Sequence, residues 1–469
     1  MIIKNIALAG HAGTGKTTLL EALLYQGGCV ERMGSVAAGT TVSDAAPEEI
    51  KRHSSVYTAT GSIMLDGQKI NLLDTPGMFD FAGGMVQGIS AADCVMITVS
   101  GKSGVRVGTK KAYRAAEGKP RMFVVTKLDD ENANFYNVLT ELKSAFGPSV
   151  CPVVVPVIAD RKVDSYINLI EMKAYRYDKD GKAQEIPMPT SEVSEKLSYR
   201  VDGLIQAFSE AIAETDEELF EKFFSGEEFT QKERVDGIHK GMRDGTITPV
   251  ACVSAQMLEG VDLLCKEMEL LVPEASDEIA ALNQNGEEVV LHQSPEEPVC
   301  VQVYQTLADP YVGKLSMMRV ISGTLKAGAE LVNSKTGATE KLNKLFFLCG
   351  KKQTETAVAE AGDLVAATKL SANTGDTLCD SSRVVSLSRS SFPTPCYSMA
   401  VRPAARGDEA KVAAAIQKIL EEDQTLSYQQ NPATNEMILS GLGEQHLSAV
   451  ISKLKADFGV DVVLSVPKI

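Results

Sequence analysis

Residues Gly10 to Thr17 read G-H-A-G-T-G-K-T, the spacing G-x-x-x-x-G-K-[ST] of a loop that cradles phosphates. The chemistry follows from the residue types. Glycines let successive backbone N–H groups converge on a polyphosphate. The Lys16 ammonium would reach the β- and γ-phosphates, and the Thr17 hydroxyl would hold Mg²⁺. His11, Ala12, Gly13, Thr14, Gly15 and Thr18 complete the candidate nucleotide-binding stretch. Such a loop works only between a strand and the N-terminus of a helix. Ile2, Ile3, Ile6, Ala7 and Leu8 read as a buried strand before it, and Leu19, Leu20, Leu23 and Leu24 as a helix beginning at Thr17.

A phosphate loop alone is compatible with ATPases, kinases and GTPases, and two later segments discriminate. Ile70 to Phe81 reads I-N-L-L-D-T-P-G-M-F-D-F. Its apolar start predicts a strand with Asp74 at the end, where a carboxylate can hold the Mg²⁺ shell through water. Gly77 permits its backbone N–H to approach a γ-phosphate closely. Arg121 to Asp129 reads R-M-F-V-V-T-K-L-D, another strand, ending in Thr126, Lys127 and Asp129. Asp129 can accept from the N1–H and the exocyclic amine of guanine. Adenine presents no such donor pair, so ATP would leave the carboxylate unpaired. The Lys127 stem would lie over the base. Val250 to Ala255 is a third strand running into a loop, with Ser254 and Ala255 placed to support the guanine O6 through a backbone N–H. Taken singly, T-K-x-D is a weak motif and D-T-P-G a middling one. In this order, each behind an apolar strand, they point to GTP. The competing reading, an ATP-using phosphate-loop enzyme, predicts that Asp129→Asn leaves nucleotide choice unchanged.

With these motifs in place the chain resembles the translation elongation factor G family, or a paralogue within it, over essentially all of its length. Gly39 to Arg52 is similar to the approach to switch I in that family, and Asp74 to Phe81 to its switch II. D-P-Y-V-G-K-L at Asp309 to Leu315 and R-V-I-S-G-T-L at Arg319 to Leu325 resemble its second domain. G-L-G-E-Q-H-L at Gly441 to Leu447 resembles its third. The resemblance implies GTP and GDP as ligands, Mg²⁺, the ribosome as partner, and movement of tRNA and mRNA as the output. Three positions depart from the family pattern. Met78 stands where a histidine usually orients the attacking water, and a thioether cannot do that work. Switch I usually ends R-G-I-T with the threonine on Mg²⁺. Here Arg52 to Ser55 reads R-H-S-S, which leaves Ser55 as the candidate ligand. Gly13 stands where the family usually has aspartate. The candidate catalytic positions are therefore Lys16, Gly77 and Met78, and the candidate metal ligands Thr17, Ser55 and Asp74. Met78 is read either as drift in an active paralogue or as the mark of slow intrinsic hydrolysis, and the second is preferred.

The expected architecture has three parts. Residues 1–275 form an α/β GTP-binding domain with a mostly parallel sheet and an insertion over about 158–248. The insertion holds a hairpin turning at Asp180-Gly181 and an acidic helical stretch from Ser191 to Phe224, on which Leu204, Phe208 and Ile212 recur. That stretch is a solvated helix pair or, by resemblance, a face for ribosomal stalk proteins; its residues do not separate the two. Residues 276–390 form a linker and a β-barrel whose turns are marked by glycines. Residues 391–469 run strand, helix, strand, strand, helix, strand, an α+β ferredoxin-like domain. His446 within it reads as a cap or packing residue. In the family two more domains follow. The resemblance thus implies a piece of a longer protein cut after the third domain, or else a natural short form. A ribosome-protection or recycling factor, or a GTP-dependent ribosome-binding protein with very slow hydrolysis, would share these three domains.

Composition agrees without deciding. Of 469 residues, 47 are basic and 62 acidic, a net charge of −15 that opposes non-specific nucleic-acid binding over the whole surface. No DNA partner is expected. The longest apolar runs are too short for a bilayer, so no membrane association and a cytoplasmic location are expected. The nine cysteines form no C-x-x-C pair, which argues against a disulfide framework or a zinc site. A monomer is the default.

Overall fold

A computed structural model describes residues 1–189, 192–194, 199–309 and 313–468. By packing, the chain divides into two units. The N-terminal unit comprises residues 1–41, 61–74 and 92–274. The other takes residues 42–60, 75–91 and 275–469.

The N-terminal unit is built on a seven-stranded sheet. β1 (Ile3–Gly10) is buried along its whole length and lies between β3 (Gln68–Asp74) and β4 (Cys94–Ser100). β2 (Ala59–Leu65) lies outside β3. Beyond β4 come β5 (Arg121–Thr126), the strand Thr248–Cys252 and the short edge strand β6 (Val150–Pro152). β1 pairs in parallel with both neighbours, as β5 does with its own. Parallel strands need crossovers, supplied by α1 (Lys16–Gln26) after β1 and by Val107–Ala115 and Phe135–Phe146 farther on. Continuous apolar runs such as Cys94 to Val99 fit a sheet covered on both faces.

The inserted segment makes a second, antiparallel sheet from Val154–Ala159, Lys162–Asn168, Lys173–Tyr177 and Ala183–Ile186. The turn at Asp180-Gly181 connects its last two strands, and Gly181 takes φ 74° there. The helical stretch expected from Ser191 begins only at Val201; Glu192–Ser194 and Tyr199–Arg200 pair as a short ladder, and residues 190, 191 and 195–198 lie outside the described ones. Local periodicity located Leu204, Phe208 and Ile212, which are buried, but carried no signal for the strand pair before them.

In the second unit, eight strands between Cys300 and Cys379 share one antiparallel arrangement, with Thr339–Leu342 at one end of the order and Lys352–Thr356 at the other. Leu331 and Leu342 from one end and Leu345 from the other meet in a single core with Val301, Val303, Met318 and Val320, so the sheet curls on itself as a barrel. Pro310, Tyr311 and Val312 of the D-P-Y-V-G-K-L stretch lie outside the described residues. The final module orders its strands Ser427–Gln430, Met437–Gly441, Tyr397–Pro403, Val462–Ser465. Helices Glu409–Glu422 and Glu444–Phe458 cover it through Val412, Ile416, Ile419, Leu447, Val450 and Leu454, the ferredoxin-like packing. Among the described residues no helix is long and apolar enough to cross a membrane.

Candidate nucleotide-binding site

Register fixes the phosphate loop. Parallel pairing sets Leu8 beside Asp74 and Gly10 beside Thr98. Gly10 has φ 142°, and a Cβ there would stand 2.6 Å from the Thr98 carbonyl oxygen, so no side chain fits. Gly13 and Gly15 have φ 76° and 85°, the left-handed region that glycine enters freely. Thr14 Oγ1 lies 2.7 Å from Thr98 Oγ1 and donates to the His11 carbonyl at 2.9 Å. The loop is thereby pinned to β4 of the sheet.

Lys16 is 6% exposed, and its ammonium donates to the Gly10 and His11 carbonyls at 3.2 and 2.9 Å. Its charge therefore sits under the loop. Burial first, then the Lys16 and Arg106 cations, hold His11 below the usual imidazole range. Ala12 and Gly13 are exposed at the loop tip and Thr18 is half-buried on α1. Thr17 Oγ1 donates to Asp74 Oδ2 at 2.7 Å. A hydroxyl and a carboxylate oxygen side by side are hard oxygen donors of the kind Mg²⁺ takes.

The base-reading residues join the same loop. Thr126 Oγ1 donates to the Thr14 carbonyl at 2.6 Å, tying the end of β5 to the phosphate loop. Lys127 takes φ 58° and its Cε lies 3.6 Å from where a Gly15 Cβ would be, so its stem lies along the loop. Ser254 Oγ donates to Asp129 Oδ1 at 2.8 Å. Ser254 and Ala255 are buried, whereas Asp129 is exposed, its carboxylate oriented from behind and open in front. Sequence reasoning assigned Ser254 a backbone role; its side chain on Asp129 was missed, although a serine closing the third strand was a visible signal. Thr98 was missed outright, and nothing local marked it.

Ser55, Gly77 and Met78 belong to the second unit. The helix Pro47–Arg52, α2, precedes Ser55, and its Arg52 guanidinium donates to Gln445 Oε1 and, at 2.8 Å, to Ser448 Oγ. Thr58 Oγ1 donates to the Gly84 carbonyl at 2.6 Å, and Gln305 Nε2 to the Thr58 carbonyl at 3.0 Å. Met78 packs with Tyr57 against Val56, Phe81 and Ala449, an apolar setting suited to a thioether. Asp80 Oδ2 accepts the His446 backbone N–H at 3.2 Å. The His446 ring is buried; its Nδ1 accepts the Leu442 N–H at 3.0 Å, so Nε2 carries the proton toward Asp423 Oδ2, 2.6 Å away. A packing role for His446 agrees with this geometry.

A helix-covered parallel sheet with a glycine loop at the end of its central strand defines a phosphate-loop nucleotide-binding protein. Residues 1–274 match the elongation factor Tu GTP binding domain, residues 298–381 elongation factor G domain 2, and residues 392–466 elongation factor G domain III. The whole chain is 33% identical to the elongation factor G-like protein of Thermotoga maritima and 32% identical to the elongation factor G of Thermotoga neapolitana. It spans 67% and 68% of their lengths. A crystal structure of a Thermus thermophilus protein superposes on all of the chain, over 68% of its own length, with a TM-score of 0.86 at 35% identity. The chain belongs to the elongation factor G family, and is a translational GTPase of that type that binds guanine nucleotide.

Proposed function

We propose that the chain binds GTP and GDP with Mg²⁺, hydrolyses GTP, and acts on the ribosome, serving tRNA and mRNA movement within the full-length protein. The observation that carries this reading is the shared anchoring of both ends of the nucleotide. Thr126 ties the base-reading strand to the phosphate loop, and Ser254 orients Asp129 beside it. Gly10 to Thr18 receive the phosphates, with Lys16 as their cation. Thr126, Lys127, Asp129, Ser254 and Ala255 receive guanine. Thr17, Asp74 and Ser55 hold Mg²⁺, which when bound neutralises charge developing on the phosphates. The functional boundaries follow the three parts, 1–275, 276–390 and 391–469. A monomer in the cytoplasm is the corresponding cellular form, without DNA or membrane.

The apolar surroundings of Met78 favour a second reading, a ribosome-binding protein whose own hydrolysis is slow. Single-turnover hydrolysis of GTP with and without purified ribosomes separates the two. The main reading expects ribosomes to accelerate turnover strongly. GTP that is bound yet equally slow to hydrolyse in both conditions favours the second, and failure to bind GTP refutes both.

A further inference from the structure

Two of the cysteines face each other inside the barrel. The strand Cys300–Asp309 pairs antiparallel with Thr377–Cys379, and the register sets Cys300 opposite Cys379, 79 positions away. Next to them the Asp380 N–H donates to the Val299 carbonyl at 2.8 Å. Bonded and non-bonded pairs alternate along an antiparallel ladder, so Cys300 and Cys379 form a non-hydrogen-bonded pair. Such pairs hold their Cα atoms about 4.5 Å apart, inside the span of about 4.4–6.8 Å that a disulfide bridges. The two Sγ atoms lie 3.9 Å apart, and both thiols are free. A covalent bond needs about 2 Å, so each sulfur has roughly 1 Å to travel.

The pair is asymmetric. The Val385 N–H lies 3.4 Å from Cys379 Sγ, so an ionised Cys379 accepts from that group and from the Cys300 S–H. The bond from Cys300 first, then the Val385 N–H and the Arg383 charge, hold the Cys379 thiol below its ordinary range, against burial and Asp380. The same contact, together with burial, raises Cys300. Cys379 is therefore the sulfur that attacks and Cys300 the one that resolves. Both are buried beside Ala281, Leu291, Ile321 and Val385. Ala281 and Leu291 belong to the hairpin Glu278–Asn283 and Glu288–His292, which among the described residues pairs onward only through Leu282 and Asn283 with Val385–Ser386. So thin a cover opens locally, and the tight surroundings favour an oxidant as small as hydrogen peroxide.

We propose that Cys300 and Cys379 are a modification site: a peroxide-sensitive thiol pair that closes into a cross-strand disulfide and staples the first strand of the barrel to a later one. The Cys379 thiolate attacks one oxygen of hydrogen peroxide and the O–O bond breaks. Cys379 becomes a sulfenic acid, and the departing hydroxide takes up the proton Cys379 gave, leaving as water. Cys300 then attacks the Cys379 sulfur and expels its hydroxyl, which leaves as water with the Cys300 proton. Two thiols lose two electrons and two hydrogens, and one peroxide is reduced to two waters. A cross-link restrains the unfolded chain more the longer the loop it closes, so the oxidised chain unfolds at higher temperature. The inference does not draw on the GTP reading.

The test takes the full chain, reduced and freed of reductant, and treats it with hydrogen peroxide before unfolding it in an alkylating reagent. Peptide mapping should find Cys300 joined to Cys379, and dithiothreitol should separate them. In a Cys29→Ser, Cys396→Ser background, which removes the exposed thiols, oxidation should raise Tm by about 5–10 °C. With Cys300→Ala, dimedone should label Cys379 as a sulfenic acid; with Cys379→Ala, Cys300 should stay unlabelled. Mapping of the unmodified chain carries the test if either alanine variant does not fold. Both cysteines still alkylated as thiols once Cys29 and Cys396 are fully oxidised would make them packing residues only and overturn the inference. A cross-link that forms only in the unfolded chain overturns it as well, and so does one that leaves Tm unchanged or lower.

Discussion

Replacing Asp129 by asparagine probes base recognition with the least disturbance to the fold, because the side chain is exposed and nearly isosteric. Guanine offers its N1–H and its exocyclic amine. A hydrogen bond to a charged group contributes about 1.5–3 kcal/mol, and exposure argues for the lower end, about 3 kcal/mol for the pair. That corresponds to roughly a hundredfold in affinity. Asparagine does more than remove charge. Ser254 Oγ donates to Oδ1 at 2.8 Å, which selects the rotamer with the amide oxygen on that side. The NH₂ then faces the guanine donors, donor against donor. Xanthine carries a carbonyl where guanine has the amine, so the same NH₂ meets an acceptor. GTP affinity should fall about a hundredfold or more, with affinity for xanthosine triphosphate rising. Ser254→Ala is the control: it releases the carboxylate without reversing its polarity, and should cost about tenfold, roughly 1.4 kcal/mol. Calorimetric titration with GTP, xanthosine triphosphate and ATP reads all of these. An Asp129→Asn variant that takes up GTP within about threefold of the original, or an original that takes up ATP equally well, refutes the reasoning.

Glu267 is 2% exposed and neither carboxylate oxygen has a hydrogen-bond partner among the described residues; burial, with the Glu171 charge adding, pushes it up to about 8. A folded-state value raised above the ordinary 4.5 gives stability that is fully present below about 4.5 and lost as pH rises through about 8. The loss between pH 6 and 8.5 is on the order of 2–3 kcal/mol by linkage, about 5–10 °C in Tm. Glu267→Gln should flatten that slope in thermal unfolding, and an unchanged slope would refute it. Met78→His should raise ribosome-free single-turnover hydrolysis by on the order of a hundredfold, the usual worth of a proton-handling group. The apolar neighbours Val56 and Phe81 keep the imidazole neutral, able to orient water. No gain in rate would mean that Met78 does not limit the reaction.

What could be read from the residues alone was chemistry carried by short spacing. The glycine loop, T-K-x-D and the order of the last module's elements each depend on neighbours within a few positions. Alternation and 3.6-residue periodicity report the face a segment buries, not the body it buries that face against. Residues 42–60 and 75–91 show the difference. Their motifs are plain in the sequence, and residues 1–274 match one GTP-binding family as a block, yet both segments pack with the barrel and the final module. The contacts responsible join residues hundreds of positions apart: Thr60 with Tyr304, Gln87 with Gln424, Arg52 with Ser448. No local pattern encodes such pairs. Glu49 is one more such case: its neighbours in sequence did not mark it, yet its two carboxylate oxygens accept the N–H of Ala46 on one side and those of Val56 and Tyr57 on the other.

The helix Glu444–Phe458 shows the same dependence from the other side. It begins G-L-G-E, with Gly443 at its cap position and no side-chain oxygen of its own for the first N–H groups. Glycine at the cap position costs roughly a few tenths of a kcal/mol relative to a good cap. The missing acceptor comes from Asp80, whose Oδ2 takes the His446 N–H. A Cβ on Gly443 would stand 2.4 Å from that same oxygen, so glycine is required for the approach. The defect in one segment and the aspartate in the other are therefore complementary. Asp80 supplies the acceptor in the first turn of this helix, and Arg52 holds Gln445 in that turn and Ser448 at the start of the next. Both segments that carry the departures from the family pattern, R-H-S-S and D-T-P-G-M, thus meet at one helix end. A shift of either removes hydrogen bonds there, which gives the final module a direct physical stake in where the two segments lie.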